Sequence, residues 1–424
     1  MKLILCDICP EKRANFYPLS LSRPLWELRV GMNSLADKLL AKLAPAEVAC
    51  FVPDYMAGSY KAKTAWKVND TSVLKGELLV LNPTIKAHGC KVSAKGPNEV
   101  GVNDAGEIMY IRVGADAGLP ADSMMSFVKA AMDKFPKVTV NLPTWNYTWE
   151  LVLQNPEVLK EDFAAAGKCG IEGTIEQPNA IRGDKKNVFI AKGALVHPMV
   201  VLDAANGPIF IDEGAEIHPF TRIEGPCYVG KKSLLLGAKC REGMSIGPMC
   251  RVGGEVEESI IHGHSNKYHD GFLGHAYVGE WVNLGAFTTN SDLKNDYSSV
   301  SVMLDGKRPI DTGSTKVGSL IGDHTKTSIG TLFNTGSVVG AMALIMATGK
   351  PLPKFLPSFA WFLEGVVTKG FGKSKLYETA RTAMSRRKCT WTDAEQAMWD
   401  AIFELTAPPR DEAVKKGRKV MLRK

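Results

Sequence analysis

A large aliphatic residue recurs at every sixth position from Ile211 through Ile217, Ile223 and Val229 to Leu235. The same beat appears earlier at Ile190, Val196 and Leu202. It returns at Ile246 and Val252, then at Val278 and Leu284, and closes with Ile321, Thr327, Phe333, Val339 and Ile345. Glycine directly follows many of these positions, as at Gly230, Gly247, Gly253, Gly279, Gly285, Gly322 and Gly340. A period of six fits neither an α-helix nor simple strand alternation. It fits a triangular β-solenoid, in which each flat face turns one aliphatic side chain inward and each corner takes a small or turn-forming residue. The beat predicts a left-handed parallel β-helix of hexapeptide repeats over 166–350. A β-sandwich with coincidental spacing is the competing reading.

Two stretches, 253–277 and 287–320, do not keep the beat. Long connections on a rigid scaffold often carry function. Five of the eight histidines lie in or beside them: His262, His264, His269, His275 and His324. After Ile345 the prolines Pro351, Pro353 and Pro357 take the chain out of the solenoid. The end of a solenoid exposes unpaired strand edges and needs a cover. Lys375–Arg387 and Thr392–Leu405 read as two helices able to supply it. Thr392-Asp393-Ala394-Glu395 is a capping box for the second, and Met398, Trp399, Ile402 and Phe403 form its apolar stripe. Residues 351–424 are thus expected to be a helical cap with a basic tail.

Ahead of the solenoid, Lys2–Leu5 and Leu78–Leu81 read as buried strands. Asn33–Leu43 reads as a helix and Asn146–Phe163 as a linker helix. These predict a truncated Rossmann-like α/β domain over 1–165. Cys6-Asp7-Ile8-Cys9 is a C-x-x-C with no second pair to complete a four-ligand metal site, so it reads as the end of a strand. Arg13, Pro18-Leu19-Ser20 and Arg23-Pro24, followed by Leu28-Arg29-Val30-Gly31-Met32, resemble the opening of sugar-phosphate nucleotidyltransferases. That family has a G-x-G-T-R-M loop, then P-L-T and K-P, then a helix. The resemblance implies nucleotide contacts for Arg13 and Arg23. It also puts Asn82 where the family carries a Mg²⁺-holding aspartate. Two departures stand out. No glycine occurs from Leu5 to Arg29, although a triphosphate cradle needs close approach of backbone N–H groups. A neutral amide is also a poor ligand for a hard cation. Mg²⁺ is expected only if this domain is active.

Residues 241–350 resemble the acetyltransferase half of the bifunctional bacterial enzyme that acetylates glucosamine-1-phosphate and uridylates it to UDP-N-acetylglucosamine. The matching residues are Ser265, His269, Phe272-Leu273-Gly274, Val278-Gly279, Val282-Asn283-Leu284-Gly285-Ala286, Thr288 and Ile321-Gly322-Asp323-His324. The resemblance implies that His269 is the proton acceptor, and that Asn283 and Ala286 touch the sugar and the coenzyme A thioester. It implies an oxyanion held near Gly285 and Ala286, and a sugar phosphate or nucleotide held by Arg241. Phe272 replaces the usual tyrosine, and Asn295, Asp296 and Tyr297 replace an N-Y loop. Acetyl-CoA is the implied acyl donor, and a homotrimer with its active site between subunits the implied assembly. Glu257-Glu258 stands where the family has Lys-Lys. Two carboxylates repel a phosphate, so an acceptor other than glucosamine-1-phosphate is expected.

The residues themselves support a base at His269, because imidazole alone has an unperturbed pKa near neutrality. A structural loop histidine is the alternative. For Asn283 the alternative is an inward asparagine stack at a solenoid corner. His262 and His264 lack the ligand spacing for a metal site with His269. The net charge of +7 is mild, and six of the last ten residues are basic. This reads as a solvated, partly disordered end, not a nucleic-acid surface. Nine scattered cysteines, an odd number, point to a reducing, cytoplasmic setting. No apolar run approaches the roughly 18 residues that span a bilayer. Three functions remain open: coenzyme A-dependent acyl transfer to an amino sugar, sugar phosphate or nucleotide sugar; sugar-1-phosphate nucleotidyl transfer; and a non-catalytic scaffold that binds a nucleotide sugar.

Overall fold

A computed structural model describes residues 1–93 and 95–422. The first domain holds a seven-stranded mixed sheet. Its order is Lys67–Val68, Glu47–Phe51, Lys2–Cys6, Leu78–Leu81, Ile108–Val113, Glu99–Val102, Lys137–Thr139. The first four strands are parallel, and Ile108–Val113 runs antiparallel to both neighbours. The expected helix at 33–43 spans Leu35–Leu43, with Ser34 and Asp37 capping it reciprocally. The expected linker helix is two helices, Thr148–Leu153 and Asn155–Ala166. The break falls at Asn155-Pro156, since proline is tolerated in a first turn but not in a helix interior.

The middle of the chain is the left-handed parallel β-helix that the hexad beat predicts. One face carries ten parallel strands from Gly170–Ile171 to Phe355–Leu356. The second face runs from Thr174–Ile175 to Asn266–Lys267. Parallel bridges through Asn283 carry it on to Lys326–Thr327, Leu344–Ile345 and Trp361–Leu363. The third face runs from Ala180–Gly183 to Phe272–Gly274. Ile190, Val196, Ile211, Ile217, Ile223, Val229, Leu235, Ile246 and Val252 all sit in one buried inward cluster.

Residues 253–277 are not a loop. They continue the coil with strands Glu255–Glu257, Ile260–Gly263, Asn266–Lys267 and Phe272–Gly274. Two short corners, Val252 to Val256 and Val256 to Ile261, shift the beat, and the inward residue after Ile261 is Lys267. The second interruption does leave the coil, between Thr289–Asn290 and Leu320–Ile321, and folds a hairpin of Ser301–Val302 on Ile310–Asp311. The coil also runs past 350, to Leu363, because Pro351, Pro353 and Pro357 fall between strands.

The outer side of the ten-stranded face is not open to solvent. Phe189, Phe210, Tyr228, Ile260 and Tyr277 are buried against Trp149, Leu159, Leu28 and Met32 of the first domain. Three C-terminal helices follow the coil: α1 (Gly372–Ser385), α2 (Asp393–Leu405) and α3 (Ala407–Met421). Trp399 and Ile402 of α2 share a cluster with Met56 of the first domain and Phe359 of the coil. The segment therefore joins both domains instead of only covering an end. The basic stretch is helical: Pro408-Pro409 starts α3, which buries Val414 and Gly417. Arg423 and Lys424 lie outside the described residues. No described helix is long and apolar enough to cross a membrane.

Candidate active site

Strand alternation decides which side chains leave the second face. Val252, Lys267, Leu284 and Thr327 point inward, so the residues before them point out. These are Arg251, Asn266, Asn283 and Lys326, in register on consecutive rungs. The corner histidine, His269, stands beside this ladder. Ala383 and the Arg386-Arg387 pair at the end of α1 close over it. Together with His264, Tyr268, Trp281 and Val282 they line a cavity of ≈ 380 Å³. His269 and Asn283 are thus brought together. Asn283 belongs to an outward asparagine ladder, with Asn266 Nδ2 donating to Asn283 Oδ1 at 2.6 Å.

Lys267 explains how His269 is held. Its ammonium sits inside the coil and donates to the carbonyls of His269, at 2.8 Å, and Gly253, at 3.1 Å. Burial pushes it down to about 8, against the pull of Asp270. Two residues past His269 the chain turns at Gly271, with φ of 125°. A Cβ there would strike the Thr288 carbonyl. Among the described residues the His269 ring has no hydrogen-bond or carboxylate partner. His264 and Trp281 stack 4.4 Å apart at the opposite corner.

The lining contains no aspartate or glutamate. Among the described residues no carboxylate lies within 4.0 Å of a charged nitrogen of Arg251, Lys326, Arg386 or Arg387. Lys326 donates only to the carbonyls of Trp281 (2.6 Å) and His324 (2.9 Å). Burial pushes it down to about 7, against Asp323. Burial, then Arg251 and Arg386, also lowers Arg387.

Other expected site residues lie elsewhere. Arg241 is on the third face, where Nη1 donates to Glu257 Oε2 at 2.7 Å. Glu257 also lies 3.6 Å from Lys316, and Glu258 3.3 Å from His275. The two carboxylates are thus already compensated, away from the cavity. Phe272 packs on that same face beside Gly274. Asn295 and Tyr297 are exposed on the excursion. Gly285 N–H donates to Thr327 Oγ1 at 3.0 Å, which leaves the Ala286 amide as the unspent donor of that pair.

In the first domain Arg13 is buried between Asp7 and the Ser20 carbonyl. Arg23 is buried against Asp323 of the β-helix and lies 3.6 Å from Glu280. Neither guanidinium is free for a nucleotide. Asn82 borders a separate cavity of ≈ 500 Å³ with Cys6, Asp7, Cys9, Lys12 and Glu107. Its amide donates to Glu107 and its carbonyl accepts from Thr84. Asp7 is committed to Arg13 and to Leu25 N–H, and Glu107 to Lys12. This donor set does not fit Mg²⁺, which wants open carboxylates.

Arg251, Asn266, Lys326 and the Arg386-Arg387 pair were not legible as site residues. The first three each precede an inward hexad position, the one signal in the sequence that marks the column.

Residues 5–168 match the family described as sugar nucleotidyl transferase. A bifunctional sugar-1-phosphate nucleotidylyltransferase/acetyltransferase of Sulfurisphaera tokodaii is 36% identical over 150 residues, 33% of this chain and 35% of that one. Bifunctional protein GlmU of Acidovorax ebreus is 33% identical over 118 residues, 27% of this chain and 21% of the other. GlmU of Nitratidesulfovibrio vulgaris is 31% identical over 161 residues, 37% and 31% of the two chains. The matched spans thus cover about a third or less of these relatives. A crystal structure of UDP-N-acetylglucosamine acyltransferase overlays with a TM-score of 0.27 at 15% identity, over 58% of this chain and 94% of that one.

Proposed function

We propose that the cavity transfers an acyl group from coenzyme A to an amine or hydroxyl of a sugar, sugar phosphate or nucleotide sugar. The observation that carries this reading is the placement of His269, with an unpartnered ring, beside Asn283 in a cation-lined cavity. Imidazole takes the acceptor's proton as its nitrogen or oxygen attacks the thioester carbonyl. The Ala286 amide donates to the developing oxyanion. The C–S bond then breaks, and the thiolate leaves and takes up a proton. The Sulfurisphaera tokodaii relative supports the reading, since acetyltransferase stands in its name.

The expected residues fall on two faces of one prism: His269 and Asn283 on one side, Arg241, Phe272 and Tyr297 toward the other. A homotrimer reconciles the split, because the third face of one subunit can complete the second face of its neighbour. Corner side chains Met199, Phe220, Phe287 and Ile329 are exposed apolar groups between these faces, which a second copy would cover.

Nucleotidyl transfer in the first domain is the second reading, favoured by the family match over 5–168. The commitments of Arg13, Arg23 and Asp7 weigh against it. A non-catalytic nucleotide-sugar-binding scaffold would keep the cavity and its cations without turnover. Acetyl-CoA offered with a panel of amino sugars and nucleotide sugars separates the three. Free thiol supports acyl transfer. Pyrophosphate from a nucleoside triphosphate plus a sugar-1-phosphate supports the second reading, and tight binding with neither product supports the scaffold.

A further inference from the structure

We propose that the C-terminal helix α1 is a ligand-binding element, and that Arg386 and Arg387 close with Arg251 and Lys326 around a diphosphate ester. The inference rests on the cavity being the reaction site, and it names the chemistry of the ligand. Three guanidinium groups and the amine of Lys326 converge from two separate parts of the chain, two side chains from the rigid rungs and two from the end of α1. A helix C-terminus favours a basic residue through its exposed carbonyls, which by itself accounts for Arg386 and Arg387. It does not account for Arg251 on the ladder opposite, whose charge repels that of Arg387 across a partly buried gap. A multivalent anion in the space between them would relieve that repulsion.

The neutral lining fits the same kind of ligand. Asn283 keeps its side-chain N–H₂ free after accepting from Asn266. That amide is a donor for a ligand oxygen next to the phosphates. Guanidinium groups recognise phosphate oxygens bidentately, and three of them from two walls can share the oxygens of two linked phosphates. Coenzyme A and a nucleotide sugar each carry a diphosphate linkage, so both present this chemistry. This gives the segment after the coil a role in binding.

Calorimetric titration of the full chain with coenzyme A, UDP-glucose and inorganic pyrophosphate tests the clamp. At least one of the two diphosphate esters should bind, with competition by pyrophosphate. Affinity should fall by about tenfold or more in both Arg251→Gln and the double variant Arg386→Gln/Arg387→Gln. Arg251 lies on a rigid rung, so its variant guards against simple loss of α1. Binding of coenzyme A alone assigns the clamp to the donor, and of UDP-glucose alone to the acceptor. Wild-type affinity in both variants, or no binding of either ester, overturns the proposal. Binding without thiol release sinks acyl transfer and leaves the clamp standing. Thiol release with unchanged KM for coenzyme A and acceptor in the arginine variants does the reverse.

Discussion

Asn266 donates to Asn283 across consecutive rungs at 2.6 Å, between Arg251 above and Lys326 below. The bond orders the floor of the cavity, since each amide fixes the orientation of the next. Asn283→Ala removes an acceptor and leaves Asn266 with no side-chain partner. The expected cost is about 1 kcal/mol in urea unfolding, together with a raised KM for the acceptor. An unchanged KM would detach Asn283 from the ligand.

Lys267 should separate stability from activity. A buried ammonium in an aliphatic stack costs desolvation, so Lys267→Met, of similar length, should leave the thermal midpoint unchanged or raise it. The variant loses the bond to the His269 carbonyl, and the corner that carries the imidazole loosens. Thiol release should drop about 10- to 100-fold, as expected when a catalytic group moves by an ångström. Equal activity in variant and wild type would mean that the lysine does not position His269.

The domains are fastened by a buried ion pair. Arg23 meets Asp323 about 300 positions along the chain, and Ser22 Oγ donates to the same carboxylate at 2.6 Å. Removing one partner strands the other charge, so Arg23→Met should cost about 3–5 kcal/mol in chemical denaturation. The double variant Arg23→Met/Asp323→Leu should recover much of that loss. Additive losses would show that the two side chains act independently.

His275 is buried between Asp292, at 2.8 Å, and Glu258, at 3.3 Å. Burial opposes its charge, but the two carboxylates carry it up to about 9. The folded chain therefore holds this proton more tightly than the unfolded chain. Its contribution is full below about pH 6.5 and is lost as pH rises through about 9. The difference in urea midpoint between wild type and His275→Gln should be large at pH 6 and shrink by pH 9.5. A gap that stays constant with pH would rule out a buried imidazolium.

The solenoid was legible because its aliphatic period is a direct consequence of three flat faces, and Ile211 to Leu235 keep that period without error. The stretch 253–277 hid from the same test for two reasons. Its corners are shortened around Val256, and Lys267 occupies an inward site that the aliphatic pattern cannot recognise. His269 and Asn283, which the local motif singles out, line one cavity. Arg13 and Arg23 were misread because their bonds depend on how distant segments pack, Arg23 on the docking of two domains. The Arg386-Arg387 pair was hidden for the same reason: a basic pair at a helix end looks alike whether it faces solvent or a cavity.

In the proposed reaction His269 takes the acceptor's proton. The most direct test is the rate of thiol release from acetyl-CoA by His269→Asn, compared with wild type at saturating acceptor and with oligomeric state and coenzyme A affinity checked in both. The expected result is a loss of about 10²- to 10⁴-fold in turnover with binding retained. Turnover at the wild-type rate in that variant would contradict the proposal.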